Sequence, residues 1–296
     1  MNEPLLRIDG LTIAFGDHAV VQGVSFDIAA AQTVALVGES GSGKSITASA
    51  IMGLLPPKAQ VTSGSVNHPS SHTTWIAPNQ PPISPLGKGL SMVFQDPMSS
   101  LNPSMRVGWQ VAESLIVHQE LSKSEAKAEA IQLLDEVELP NPSALFERYP
   151  HELSGGQKQR VMIALALSAK PALLIADEPT TALDVTVQKA VLQLLSRLKQ
   201  RRKLAILFIT HDLDVVRDIA DHVLVMQHGM LVEQGSVAAV MTHPKHPYTR
   251  ALIAAKDIPP RAIGATFGQP LVVATNVVKS FPLKQNFWGK TTRSFK

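Results

Sequence analysis

Cysteine is absent from the 296 residues, which excludes a disulfide framework and any thiolate-held metal or iron–sulfur cluster. Long apolar runs are also missing. Although 45% of the residues are hydrophobic, no stretch approaches the roughly 18–20 consecutive apolar residues of a membrane-spanning helix. The opening MNEPLLRIDG carries an acid early and lacks the apolar core of a secretory leader, so a soluble cytosolic protein is expected. Acidic residues are lacking in one region. None follows Asp257, where Arg261, Lys279, Lys284, Lys290, Arg293 and Lys296 lie. The net charge of +3 therefore belongs to the tail, and residues 1–257 alone stand at −3. The tail's basic groups are scattered among apolar residues rather than clustered, which argues against a nucleic-acid surface.

What is present suffices for a large core and two subdomains. LLRIDGLTIAF and VSFDI alternate apolar and polar positions and read as strands, and TVALV as a buried one. The glycine loop after it should lead into a helix running to about Leu55, stopped by Pro56 and Pro57. Residues 62–89 read as loops around short strands, and LSMVFQ as a strand. Residues 107–139 have a helical pattern, with Ser122 and Glu125 at capping-box spacing. ALLIADE and LAILFITH are short buried strands. VTVQKAVLQLLSRLKQRR and DLDVVRDIA read as helices, and DHVLVMQHGMLVEQG as two strands around a His-Gly turn. This alternation implies an α/β fold with a mainly parallel sheet. The helical block at 107–150 interrupts it and should form a separate lobe.

Between TVALV and its helix stands GESGSGKS, which satisfies G-x-x-x-x-G-K-[ST]. Gly38, Glu39, Ser40, Gly41, Ser42, Gly43, Lys44 and Ser45, with Ile46 behind them, are the candidate phosphate-binding residues. The glycines let successive N–H groups turn toward phosphate oxygens, and the helix adds its positive end. Lys44 can reach the β- and γ-phosphates, and the Ser45 hydroxyl can ligate Mg²⁺. LLIADE supplies the complement. Asp177 emerges at the end of a buried strand, where it can hold the Mg²⁺ shell, and Glu178 can polarise an attacking water. LSGGQ, with Ser154, Gly155, Gly156 and Gln157, precedes another helical run and makes a second anion-binding element. By itself it reads more readily as a helix cap; the company of the other motifs turns the balance. Two cradles in one chain make sense if the second serves a nucleotide held by another copy.

Residues 1–257 resemble the nucleotide-binding domain of an ABC transporter. The motifs run in the family's order: the phosphate loop, VFQDP with Gln95, LSGGQ, LLIADEP, TALD with Asp184, and ITHD with His211. The resemblance implies a P-loop ATPase fold with a mainly parallel core sheet, an N-terminal antiparallel β subdomain and an inserted helical subdomain at about 100–155. It implies ATP and Mg²⁺ as cofactors. Gln95 would contact Mg²⁺ and water and sense the membrane partner. Asp184 would act across a dimer interface, and His211 would hold the γ-phosphate and support Glu178. Phe15, 23 residues before Gly38, stands where the family places an aromatic that stacks on adenine; a core residue is the alternative. VGWQVAESLIV, close to Gln95, reads either as part of a groove for a permease helix or as the core of the helical lobe.

FQDPMSSLNP and HPKHPYTRAL resemble the ATPases of oligopeptide, dipeptide and nickel importers. Many of those carry an iron–sulfur cysteine cluster after HPYT; this chain has no cysteine to form one. The implied partners are a second cassette, identical or different, two transmembrane permease subunits and, indirectly, an extracytoplasmic solute-binding protein. The implied place is the cytoplasmic face of the inner membrane. The expected function is ATP hydrolysis that powers import of peptides or a related small solute. The alternatives are a soluble ABC ATPase with a role such as phosphonate degradation, or an inactive half of a tandem protein. With an offset of 266, Leu271 falls on Leu5 and Phe281 on Phe15. Residues 258–270 thus read as a linker, and 271–296 as the incomplete start of a second cassette or as a disordered extension.

Overall fold

The computed structural model describes residues 3–68, 73–78, 89–96, 100–181, 183–255, 275, 278, 281–285 and 291–295. The linker expected at 258–270 lies outside them, as do residues 79–88 of the loop region expected at 62–89. Two units separate at residues 256 and 257.

The first unit begins with an antiparallel sheet. β1 (Leu6–Phe15) and β2 (His18–Ile28) form a hairpin around Gly16 and Asp17. β4 (Ala59–His68) pairs with the other edge of β1, and β5 (Thr73–Ile76) pairs with β4. β4 is longer than the short strand expected there. Its polar sequence carries little period, but main-chain pairing along β1 needs none.

Behind it lies a six-stranded sheet in the order β10-β9-β3-β8-β7-β6. β3 (Thr33–Val37), β6 (Leu90–Val93), β7 (Leu173–Asp177), β8 (Ala205–Thr210) and β9 (His222–Gln227) run parallel, and β10 (Met230–Ser236) returns antiparallel to β9. Every residue of β3, β7 and β8 is buried, which is why these strands read as continuous apolar runs. Their C-terminal ends share one edge of the sheet, where a parallel sheet presents its ligand site.

α1 (Lys44–Ile51) stops earlier than expected. The prolines do not end it. Gly53 takes a left-handed φ of 68°, its N–H meets the carbonyl of Ala50, and the N–H of Leu54 meets that of Ser49, a glycine-dependent helix stop. The pattern at 107–139 resolves into two helices, α2 (Val107–Gln119) and α3 (Lys123–Glu136). Glu120 turns left-handed between them, and Ser122 with Glu125 forms the expected capping box. α4 (Pro142–Phe146), a 3-10 turn at Pro150–Glu152 and α5 (Gly155–Ser168) complete this lobe. Its core gathers Val111, Leu115, Leu134, Phe146 and Val161 and continues under α6 (Val185–Arg202) to the sheet. A third cluster lies beneath α7 (Leu213–Ile219), α8 (Val237–Thr242) and α9 (Pro247–Ala254).

The second unit contains an antiparallel pair, β11 (Phe281–Gln285) and β12 (Thr291–Phe295). Phe281 opens β11, whereas Phe15 closes β1.

Candidate nucleotide-binding site

Gly38 follows β3 directly. A Cβ there would lie 2.2 Å from the Met226 carbonyl oxygen on β9, so only glycine lets the loop pass over the neighbouring strand. At the loop's other end Gly43 caps α1 without a side chain. The first N–H groups of α1 therefore have no side-chain acceptor and can meet an anion. Lys44 is buried, and its Nζ donates to the carbonyls of Gly38 (2.9 Å) and Glu39 (2.8 Å). Burial lowers its pKa, while the charges of Glu178 and Asp177 oppose that shift.

Ser45 Oγ donates to Asp177 Oδ1 at 3.1 Å. Burial raises the Asp177 pKa; the Ser45 bond pulls it down and the Glu178 charge pushes it up. A hydroxyl beside a buried carboxylate fits a magnesium ion. Among the described residues no group of three or more His, Asp or Glu could hold a metal by itself. Phosphate oxygens would complete such a shell, as is usual for this ion.

Glu178 has a left-handed φ of 45°, and its N–H donates to the Ile209 carbonyl at 3.0 Å. Such a conformation costs a non-glycine residue on the order of 1 kcal/mol or more and aims the side chain away from the strand direction. The carboxylate meets three side chains. Gln95 Nε2 and Thr181 Oγ1 each donate to Oε2 at 3.0 Å, and His211 Nδ1 lies 3.2 Å from Oε1. Gln95 follows β6, Glu178 follows β7 and His211 follows β8, so three adjacent strand ends build this cluster.

These groups open on a cleft of about 510 Å³. Phe15, Ser40, Gly41, Gly43, Lys44, Ser45, Ile46, Gln95, Glu178 and His211, all singled out in the sequence, line it together with Val20. Phe15 keeps 37% of its surface exposed, so it faces the cleft rather than the core. Another hollow of about 410 Å³, lined by residues such as Leu55, Pro56 and Ile76, carries no ionisable side chain.

The sequence profile described as ABC transporter matches residues 21–181. The chain belongs to the ABC transporter family. It is 41% identical to the glutathione import ATP-binding protein GsiA of Escherichia coli K12 and 42% identical to that of Salmonella choleraesuis; each match covers 98% of this chain and 52% of the relative. The chain thus spans about half the length of these curated relatives. Among solved structures it resembles cbiO1 from Clostridium perfringens, part of the ABC transporter complex cbiONQ (28% identity, TM-score 0.71, covering 82% of this chain and 92% of that one). It also resembles an ATP-binding cassette in a dimeric post-hydrolysis state with ADP and Pi (26% identity, TM-score 0.67, covering 78% and 98%).

In this ABC cassette the remaining candidates lie elsewhere. Ser154, Gly155, Gly156 and Gln157 do not line the cleft. They start α5, where Ser154 and Gln157 satisfy each other in a capping box. Asp184 caps α6, its Oδ1 accepting the Val187 N–H at 3.0 Å. Gly155 packs near Leu183, and Gly156 lies so close to Val187 that a Cβ would come within 2.5 Å of its Cγ1. LSGGQ and Asp184 therefore form one patch, apart from the phosphate loop. Thr181 was not picked out from the sequence; the only signal was its place three residues after Glu178, within hydroxyl reach once the chain turns.

Proposed function

We propose that this chain is an ATP-hydrolysing subunit that powers import of a peptide-like solute through an ABC transporter. The observation that carries the proposal is the Glu178 carboxylate, held by Gln95, Thr181 and His211 at the cleft that also receives Lys44 and Ser45. In this reading Phe15 stacks on the base, and the loop amides and Lys44 bind the phosphates. Ser45, Asp177 and Gln95 would hold Mg²⁺, which supplies charge neutralisation of the phosphate oxygens when bound. Glu178 takes the proton from a water as the water oxygen attacks the γ-phosphorus and the bond to ADP breaks, leaving ADP and phosphate. His211 keeps Glu178 oriented and faces the γ-phosphate.

The cleft lacks Ser154 and Gly156, so we place these on the γ-phosphate of a nucleotide held by a second cassette, with Asp184 at the same interface. Closure of two cassettes would complete two sites. A hollow of about 410 Å³ between α1 and helices α2 and α5 is lined by residues including Met52, Leu54, Met92 and Phe94, the last of which directly precedes Gln95 in the chain. Phe94 and Leu54 remain 47% and 41% exposed. We assign it to a permease segment, which puts the cassette peripherally on the cytoplasmic face of the membrane. Of VGWQVAESLIV, Val107, Val111 and Leu115 are buried in the lobe, and Ser114 faces the hollow. A solute-binding protein would act only through the permeases. Among the described residues no helix is long and apolar enough to cross a membrane, so the pore must come from other chains or segments. The relatives' name, glutathione import, supports a small peptide as solute. Their match extends through nearly all of the chain, which supports residues 271–296 as the opening of a further domain.

Glu178→Gln tests the chemistry. It should bind Mg·ATP as the wild type does and lose turnover. Normal turnover would remove Glu178 as the base.

A further inference from the structure

Residues 244–254 fold back onto the sheet edge that carries the phosphate loop. The Glu233 carboxylate on β10 accepts the backbone N–H groups of Lys245 (2.8 Å) and His246 (3.0 Å). His246 Nδ1 accepts the N–H of Tyr248 at 3.2 Å and so caps α9. Tyr248, Leu252 and Ile253 then pack against Ala35 and Val37 of β3 and Val223 and Val225 of β9. These contacts hold the Tyr248 ring at the end of β3. There the Glu39 N–H donates to the Tyr248 hydroxyl at 3.0 Å.

That N–H belongs to the peptide joining Gly38 and Glu39. The carbonyl of the same peptide is Gly38 O, which accepts the Lys44 ammonium at 2.9 Å. Among the described residues no peptide is cis, so the N–H and C=O of this plane point in opposite directions. One peptide plane is therefore clamped at its amide end by Tyr248 and at its carbonyl end by Lys44. The next carbonyl, Glu39 O, receives the same ammonium at 2.8 Å. Gly38 precedes the plane with φ 156°, a residue without a Cβ to resist rotation. Nothing within the loop itself holds the amide end.

We propose that Tyr248 is a positioning residue for the phosphate loop. Its hydroxyl fixes the peptide plane that anchors Lys44, and nucleotide affinity thereby depends on the docking of residues 244–254. Without the hydroxyl the Glu39 N–H loses its partner and the plane turns more freely. Lys44 then loses a fixed anchor beside the phosphates. Burial raises the Tyr248 pKa, which keeps the hydroxyl neutral. The inference rests on the reading above, in which Lys44 meets a nucleotide phosphate.

Tyr248→Phe in the full chain isolates the hydroxyl and keeps the ring packing. Mg·ATP affinity, turnover at saturating Mg·ATP and the nucleotide-free melting temperature are measured together. The expected result is affinity weakened about fivefold, the loss of one ordinary hydrogen bond. Saturating turnover should stay within about twofold and melting within about 2 °C, since Glu178 and the core are untouched. Hydrogen exchange of the peptide containing Glu39 should quicken. Glu233→Gln, which touches neither cleft nor nucleotide, should shift affinity in the same direction, and the double variant should lose less than the two single losses combined. Equal Mg·ATP affinity in wild type and Tyr248→Phe would overturn the proposal. So would an affinity loss matched by equal losses in saturating turnover and melting temperature. Folded wild type that binds no Mg·ATP would defeat the nucleotide reading itself, and that outcome shows in the wild-type arm alone.

Discussion

His211 Nδ1 lies 3.2 Å from Glu178 Oε1, joining the residue after β8 to the residue after β7. In the proposed mechanism the contact orients the carboxylate that takes a proton from water. His211→Ala should lower kcat by about a hundredfold, within the range for general-base catalysis, and leave Mg·ATP affinity within about threefold. Thr181→Val removes one of two donors to Oε2 and leaves Gln95. Its kcat should fall by about fivefold. Steady-state kinetics with separately titrated binding checks both, and a Thr181→Val loss confined to affinity would contradict this placement.

Asp177 gives a stability effect of opposite sign to that of most carboxylates. Burial raises its folded pKa above the unfolded value. Its proton is then held more tightly in the folded state. The ionised form costs stability above the unfolded pKa, and that cost is relieved as pH falls through the raised folded value. Asp177→Asn should therefore melt higher than wild type at pH 7 without nucleotide, with the gain shrinking in acid. The variant should also lose the Mg²⁺ dependence of ATP binding. Melting curves across pH decide the first point; a lower melting temperature at pH 7 would refute it.

Gly108 in α2 packs directly on Phe146 in α4. A Cβ at 108 would lie 2.1 Å from the ring and 2.7 Å from the Phe146 Cα. Backbone must move to admit it. Gly108→Ala should destabilise the protein by about 1–3 kcal/mol, although alanine favours a helix by roughly 1 kcal/mol. Urea unfolding measures this. A neutral or stabilising result would mean that the lobe repacks freely.

The two halves of the site differed in how far the sequence disclosed them. GESGSGKS lies between β3 and α1, so its chemistry is local, and its place in the cleft followed from the pattern. Asp177, Glu178 and His211 stand directly after buried apolar strands, and parallel neighbours bring such ends together. Thr181 and Tyr248 could not be found that way. Thr181 reaches Glu178 only because Glu178 turns left-handed, a backbone choice that no apolar period signals. Tyr248 meets Glu39 across a sequence separation of 209 residues, and HPYT was legible only as a resemblance. Helix ends were missed for a related reason. Gly53 and Glu120 stop α1 and α2 through left-handed backbone, whereas the prolines expected to stop the first come later. Gly108 carries no sequence signal of its role either, because its value lies in the approach of Phe146.

In the proposed function the cleft is half of a composite site, since Ser154 and Gly156 lie outside it. Losing even one preorganised donor to a developing charge costs about a hundredfold in rate, so either defect alone should nearly silence a chain. Mixing Lys44→Ala chains with Ser154→Arg chains measures the geometry directly. A heterodimer concentrates both defects in one site and leaves the other intact. ATP turnover in the mixture should exceed that of either variant alone and rise with protein concentration. Turnover that stays at the level of the separate variants, with wild-type activity per chain independent of concentration, would mean that one chain completes its own site.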